Sequence, residues 1–263
     1  MSLERMYLYQ VISTLIAAGA DVRHVMATGS TALDIAAQQG HVELVRALIA
    51  AGAAVNHRNP VDGVTPLYNA SQAGHLEIVQ ILINAGANVK QHNTADDGTP
   101  LSVAAEGGHL VVVRQLLANG VDVNSRTSTG ATPLWMAAQN RHLEVVQLLI
   151  ASGADVNQST SENGRTPLYM AANNIDLEMS QTLTGAGAEV NRSGIFSGST
   201  PLHVAALTGD IIRVVRTLMA AGYAQQGRTA HDCYEWQNTI SRAAEVAEEH
   251  GNIHVMNVLR RHA

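Results

Sequence analysis

The sequence predicts an all-α fold, a solenoid of stacked helix-turn-helix units, because short markers recur in fixed phase along the chain. One marker is a glycine loop that returns every 33 to 35 residues, at Gly19, Gly52, Gly86, Gly120, Gly153, Gly187 and Gly222. The other is a Thr-Pro-Leu or Thr-Ala-Leu tripeptide, which begins at Thr31, Thr65, Thr99, Thr132, Thr166 and Thr200. A unit of this size cannot bury its own apolar face, so the core must form between stacked neighbours.

The repeat that begins at Thr65 shows how each unit is built. A Thr hydroxyl accepts hydrogen bonds from free N–H groups at a helix start, and the proline that follows suits the first helical position. The helix predicted over residues 67–73 ends at Gly74, because glycine readily takes a left-handed conformation. A second helix with one apolar stripe is predicted over residues 76–83, and the next glycine loop stops it.

Composition and charge exclude several classes of function. The net charge is -6 and no basic run is dense enough to neutralise phosphates, so nucleic acid is not an expected partner. No run of 18 apolar residues offers a membrane span. The single cysteine, Cys233, cannot form an internal disulfide and fits a reducing compartment. We therefore expect a soluble monomer in the cytoplasm, with the nucleus as an open alternative.

These residues closely resemble the ankyrin repeat, whose pattern is a TPLHxAA helix, a GH turn, a VVxLLL helix and a GADVN segment. Residues 65–89 and 132–157 match the pattern almost completely, and the resemblance extends over roughly residues 7–223. The resemblance implies a curved stack with protruding β-turn fingers. It also implies that the fingers and first helices line a concave groove that binds proteins.

The predicted organisation has eight parts. An N-terminal half repeat over residues 1–22 supplies only a second helix, over 3–17, and a divergent capping repeat ends the chain. Within this cap the pattern begins at Arg228 and is interrupted around residues 234–239. The full repeats are predicted at residues 23–56, 57–90, 91–124, 125–157, 158–191 and 192–227, and the cap at 228–263.

The resemblance places three positions of each repeat near the groove: the residue before Thr, the residue after Leu, and the residue before the turn glycine. The predicted partner-binding residues at these positions are Val64, Tyr68, Ala73, Trp135, Asn140, Arg165, Tyr169, Asn174 and Thr208. The alternative for the three aromatic residues is that they pack beneath a finger. Phe196 joins the set because it lies in an exposed apolar turn, with packing on the neighbouring finger as its alternative.

Catalytic, cofactor and metal chemistry find no support in the sequence. His41, His75, His109 and His142 share one repeat position, but stacked repeats separate them by about 10 Å. Zinc ligands must all lie about 2.1 Å from one point, so these histidines are predicted to be structural. The capping residues His231, Cys233, His250 and His254 match no compact zinc signature. Gly185-Ala186-Gly187 closes a helix instead of opening one, which excludes a dinucleotide site.

The predicted function is that of a non-catalytic scaffold that binds another protein through the groove and finger tips. Two alternatives stay open. In the first, the array is the targeting module of a larger enzyme or effector. In the second, the chain is a substrate of an asparaginyl hydroxylase, which would modify the finger-preceding asparagines Asn56, Asn124, Asn157 and Asn191.

One repeat is predicted to be a weak internal joint. Its helix-to-helix turn carries Ile175 where other repeats carry a glycine such as Gly74, and a β-branched residue is strained at positive φ. The turn must therefore either bear this strain or adopt another conformation. Asp176 also replaces the histidine of the turn, and the second helix has fewer large apolar residues than that of the preceding repeat.

Overall fold

A computed structural model describes residues 10–12, 14–195, 198–207, 212–225 and 230–263, which form helices joined by turns, with no β-strand among them. The chain divides into two compact units, Met1–Ser128 and Thr129–Ala263. The first unit contains α1 (Ala32–Gln39), α2 (Val42–Ala50), α3 (Pro66–Gln72), α4 (Leu76–Asn84), α5 (Pro100–Glu106) and α6 (Leu110–Ala118). The second contains α7 (Pro133–Gln139), α8 (Leu143–Ala151), α9 (Pro167–Asn173), α10 (Leu177–Gly185), α11 (Pro201–Leu207), α12 (Ile212–Gln225), α13 (Ala230–Glu249) and α14 (Ile253–Arg260).

Threonine begins the first helix of the repeats, as the sequence predicts. In α3 the Thr65 hydroxyl accepts a hydrogen bond from the backbone N–H three residues later, and a proline occupies the first helical position. The equivalent threonines cap α1, α5, α7 and α9 in the same way. Each such cap stabilises its helix by about 1 kcal/mol.

Two layers of helices form in each unit. In the first unit, α1, α3 and α5 contact one another in sequence and make one layer, while α2, α4 and α6 make the other. In the second unit, α7, α9, α11 and α13 make one layer, and α8, α10, α12 and α14 make the other. Leucines that follow the Thr-Pro pair, such as Leu67 and Leu134, are fully buried between these helices. Burial of one such side chain contributes about 2 kcal/mol.

Hydrogen bonds from the turn of one repeat to the first helix of the preceding repeat fix the stacking. The Nε2 atoms of His75 and His109 lie 3.1 and 2.9 Å from carbonyl oxygens at the end of the preceding first helix. This confirms the structural role predicted for these two histidines. In the last helix pair Asn252 occupies the same position, and its side-chain amide donates to the carbonyl oxygen of Ala206 at 2.7 Å.

The fingers are tight turns joined by a repeating main-chain bond. In the finger at residues 59–64, the N–H of Asn59 donates to the carbonyl oxygen of Val64 at 2.9 Å. Within each unit, successive fingers are linked by one N–H···O bond. These bonds run from Thr94 to Asp62, from Ser128 to Asp96, from Ser161 to Thr129 and from Ile195 to Asn163.

The C-terminal part of the chain differs from the sequence prediction in two respects. Gly222 does not form a loop but lies inside α12. A β-carbon at this position would come within 2.1 Å of the Trp236 indole. Trp236 is fully buried, so this glycine serves the close approach of a large ring. The expected interruption at residues 234–239 is also wrong, since α13 runs without a break from Ala230 to Glu249.

The turn at Ile175 keeps the left-handed conformation, which is the first of the two outcomes that the sequence left open. Ile175 adopts φ 60°, in the left-handed region, and its side chain is 46% exposed. Arg141 occupies the equivalent turn of the preceding repeat with φ 65°. A β-branched residue in this region costs roughly 1–2 kcal/mol, and the exposed side chain recovers little of that cost through burial.

Asp176 compensates for part of this strain. Its carboxylate accepts a hydrogen bond from the N–H of Met179 at 3.0 Å and so caps α10. The histidines that precede α2, α4, α6 and α8 make no side-chain capping bond in the described structure. Asp176 also lies 3.5 Å from the Nε of Arg141 in the preceding repeat. Asp176 therefore lacks the contact with a carbonyl oxygen that His75 makes at this position, but it gains a capping bond and an ion pair with Arg141.

We expect Ile175→Gly to raise the free energy of unfolding by about 1 kcal/mol, because glycine takes the left-handed conformation without strain. Urea denaturation measures the change. Ile175→Ala is the matched control: it removes the same side-chain contacts but keeps a β-carbon at positive φ, so it should not stabilise. Hydrogen exchange should be faster in residues 171–187 than in 137–153, and Ile175→Gly should slow it. Equal stability of the Gly and Ala variants would show that the turn carries no strain.

Candidate functional site

The third residue of each first helix, called here the N3 residue, varies most in chemistry. These residues are Asp34, Tyr68, Ser102, Trp135, Tyr169 and His203. The Thr cap bonds to the backbone N–H of the N3 residue. The side chains of Asp34 and Ser102 also bond back to the N–H of their capping threonine, which completes a capping box. Three of these positions were predicted to bind a partner.

In the first unit the N3 residue Tyr68 reaches a polar side chain of the next repeat. The Tyr68 hydroxyl accepts a hydrogen bond from the Asn93 side chain at 3.2 Å, and Asn93 in turn accepts bonds from two backbone N–H groups of its own finger. Burial raises the pKa of Tyr68 to about 12, and the nearby Asp96 adds to the rise. Only 8% of Tyr68 is exposed. Its phenol therefore supports the next finger, as the alternative interpretation of this position expected.

In the second unit the N3 residues form an aromatic cluster. Trp135 packs against a group of buried residues comprising Tyr169, Met170 and Val204. The guanidinium of Arg165 lies over the Tyr169 ring, with its carbon 5.3 Å from the ring centroid. Tyr169 is 9% exposed, while Trp135 is half-buried and Arg165 is exposed. The indole Nε1 of Trp135 is buried and has no hydrogen-bond partner in the described part of the chain.

The remaining predicted residues differ in their exposure. Val64 and Ala73 are half-buried, the first at the base of a finger and the second at the end of α3. Asn140 is exposed, and its amide donates to the carbonyl oxygen of Met136 in its own helix. Phe196 and Thr208 lie outside the described residues. Among the described residues, the structure thus brings Trp135, Arg165 and Tyr169 together.

Asn174 has a structural contact that the sequence did not reveal. Its side-chain amide donates to the carbonyl oxygen of Gln139 at 2.7 Å, at the end of the preceding first helix. This bond replaces the one that His75 and His109 make in the first unit, because Asp176 stands where histidine would be. Asn174 is half-buried, so a partner would contact only part of it.

His203 is a site residue that the sequence analysis missed, although it holds the same position as Tyr68. Its Nδ1 lies 3.3 Å from the N–H and 2.8 Å from the hydroxyl of Thr200. Burial of the imidazole, together with the positive charge of Arg242, lowers the pKa of His203 to about 4. The ring is therefore neutral at physiological pH.

The described residues contain no metal-binding cluster and no membrane-spanning helix. No three His, Cys, Asp or Glu side chains in those ranges come close enough to hold a metal ion. None of the described helices has the length and apolar character needed to cross a membrane. Cys233 is half-buried.

Family models match most of the sequence. A model described as ankyrin repeats in three copies matches residues 4–93 and 89–160, and a model of the single ankyrin repeat matches residues 197–227. The chain belongs to the ankyrin-repeat family. Residues 161–196 lie between the matched regions and belong to neither match. In this part of the ankyrin-repeat protein, Ile175 and Asp176 replace the turn glycine and histidine.

A solved structure supports the same assignment. The ankyrin-repeat protein is similar to the human ASB11 ankyrin repeat domain, with a TM-score of 0.73 and 29% sequence identity. The match covers 88% of this chain and 100% of that structure. No curated protein matches. Ankyrin repeats generally mediate protein–protein interaction and are typically non-enzymatic, which is the coarse function that these matches support.

Asn174→Ala should lower the free energy of unfolding by about 1 kcal/mol, because it removes a hydrogen bond between repeats. Asn140→Ala is the matched control, since this exposed residue occupies the equivalent position but bonds only within its own helix. We expect that change to be nearly neutral in urea denaturation. Equal losses from the two variants would mean that the inter-repeat bond of Asn174 contributes nothing to stability.

His203 predicts a pH dependence of stability. An unfolded histidine titrates near about pH 6.5, whereas the folded pKa of His203 is about 4. Between these values the unfolded chain binds the additional proton, so stability is fully present above about pH 6.5 and declines as the pH falls towards 4. The decline should be smaller in His203→Ser. Parallel stability curves of the two proteins from pH 7 to pH 4 would contradict the assignment of the pKa shift to burial.

Proposed function

We propose that the protein binds a protein partner through the surface made by Trp135, Arg165 and Tyr169 in the second unit. The observation that carries this proposal is the exposed guanidinium of Arg165 held over the Tyr169 ring, beside the half-buried Trp135. Tryptophan, tyrosine and arginine dominate the energetically important residues of protein interfaces. The arrangement favours a partner segment with an apolar side chain next to a carboxylate.

Contacts within the unbound protein already hold these side chains in place, which favours their role in binding a partner. Tyr169 is held in the cluster with Met170 and Val204, so it loses little side-chain freedom when a partner binds. The cation–π contact likewise restrains Arg165 before binding. Val64, Tyr68, Ala73, Asn140, Asn174, Phe196 and Thr208 stay predicted contacts of a more extended interface.

One alternative has support from the comparisons. The matching human structure is described as an ankyrin repeat domain, which favours the view that such an array serves as a module of a larger protein. In that case the surface around Trp135 would recruit the partner or substrate on which another domain acts. We propose no reaction for the residues of this chain.

The hydroxylase-substrate alternative faces a structural obstacle. The side-chain amide of Asn56 donates to the carbonyl oxygen of Gly86 at 2.9 Å, and its oxygen accepts from the N–H of Asn88 at 2.7 Å. The oxygen of Asn157 accepts from the N–H of Glu189 at 2.8 Å. An enzyme that modifies these asparagines would first have to break bonds between neighbouring repeats.

Arg165→Gln and Trp135→Ala should each weaken partner binding by about 1–2 kcal/mol. The test is quantitative affinity enrichment from native lysate, followed by calorimetry with the most strongly enriched protein. Arg216→Gln removes one exposed positive charge from α12 and serves as the charge control. Trp135→Phe keeps an aromatic ring and should retain more affinity than Trp135→Ala.

Stability measurements separate binding from folding in this experiment. Arg165 is exposed, so Arg165→Gln should leave the thermal unfolding midpoint nearly unchanged. If folded Arg165→Gln and Trp135→Ala both bind the partner as tightly as the unaltered protein, the aromatic cluster is core packing and the proposed surface is wrong.

A further inference from the structure

A polar cavity lies beside His203 at the C-terminal end of the second unit. It has a volume of about 210 Å3, and its described lining comes from the last finger region and from α13. Asn191 and Ser193 line one side, and Glu235, Asn238 and Arg242 of α13 line the other. The proposed partner-binding surface does not include this cavity, because the residues that line the cavity are different from those of the aromatic cluster.

His203 places a buried donor in the wall of this cavity. The residue is 7% exposed, and its Nε2 has no hydrogen-bond partner in the described structure. Its Nδ1 faces the backbone N–H of Thr200, which can only donate, so Nδ1 must be the acceptor. In a neutral imidazole the other nitrogen then carries the proton. The Nε2–H is therefore a donor without an acceptor among the residues that the structure describes.

The first unit shows the kind of partner that an N3 side chain can have. There Tyr68 meets the side chain of Asn93 in the following repeat. After α11, the following first helix is the long α13, which packs on α11 and lines the cavity. A buried N–H without an acceptor is unfavourable, so a ligand oxygen at this point would gain affinity from satisfying it.

We propose that this cavity is a carboxylate-binding site that takes the C-terminal carboxylate of a peptide, held by the Nε2–H of His203 and the guanidinium of Arg242. A hydrogen bond from a neutral donor combined with a cation is a strong arrangement for a carboxylate. Glu235 lies in the same lining and suits the N–H of the terminal peptide group. A wall with both charges thus fits a peptide end better than a simple anion.

Access to the donor requires a side-chain movement. The Nε2 atom is covered in the ligand-free protein, so a carboxylate reaches it only when a neighbouring side chain changes rotamer. Asn238 and Arg242 are exposed residues of α13, and such residues can change rotamer without a shift of the backbone. Rotamer changes of this kind commonly accompany binding.

Nuclear magnetic resonance of the full chain labelled with 15N-histidine tests the proposal. The probes are N-acetyl-glycyl-glycine, the same peptide as its C-terminal amide, and N-acetyl-aspartate amide, which carries only a side-chain carboxylate. We expect the free acid to shift the Nε2 resonance of His203 saturably, with a dissociation constant in the millimolar range. The amide should cause no saturable shift, and the aspartate probe should bind more weakly than the free acid.

Matched variants identify the groups that hold the carboxylate. His203→Ser should keep the contact with Thr200, because Ser102 accepts the equivalent N–H of Thr99 at 2.8 Å. We expect His203→Ser and Arg242→Gln each to weaken binding of the free acid by about tenfold or more, followed through backbone amide shifts at the cavity. Arg216→Gln, a charge change outside the cavity, should leave the affinity unchanged.

Several results would overturn the proposal. Equal binding of the acid and the amide would show that no carboxylate is recognised, and tighter binding of the aspartate probe would assign the site to acidic side chains. Unchanged affinity in folded His203→Ser would remove the donor from the site. Equal weakening by Arg216→Gln and Arg242→Gln would reduce the effect to general charge attraction. If His203→Ser does not fold, the amide probe and Arg242→Gln decide the question.

Discussion

The structure depends on one constraint: no helix of the regular repeats is long enough to be stable alone. The first helices from α1 to α11 have seven or eight residues and the second helices from α2 to α10 have nine. Isolated helices shorter than about 12–15 residues are marginal in water. Each helix therefore depends on its neighbours for stability, and contacts between successive repeats carry most of the free energy of folding in each unit.

The bonds between repeats show which parts of this arrangement are required. A carbonyl oxygen at the end of a first helix needs a donor, and the chain supplies it with His75, His109, Asn174 or Asn252. Two residue types at two different positions of the turn thus satisfy the same backbone group. Because the requirement lies in the backbone and not in one side chain, the repeat containing Asp176 departs from the pattern and still stacks.

The N3 residue varies more, because the Thr cap bonds to its backbone N–H and several different side chains are compatible with that bond. The chain uses this freedom for a phenol that supports a finger, an aromatic cluster with an arginine above it, and a buried imidazole beside a cavity. Binding chemistry can change at this position without loss of the caps and leucines that hold the stack.

The sequence by itself determined the features that depend on neighbouring residues along the chain. The threonine caps and the short helix pairs of the regular repeats follow from local backbone preferences, which recur with the period of the repeat. Only the tertiary structure decided the burial of Tyr68 and Tyr169, the inter-repeat bond of Asn174, and the position of Gly222 inside α12 against Trp236. Each of these features depends on a contact with another helix or repeat. A local sequence pattern does not specify which residues that are distant in the chain come into contact.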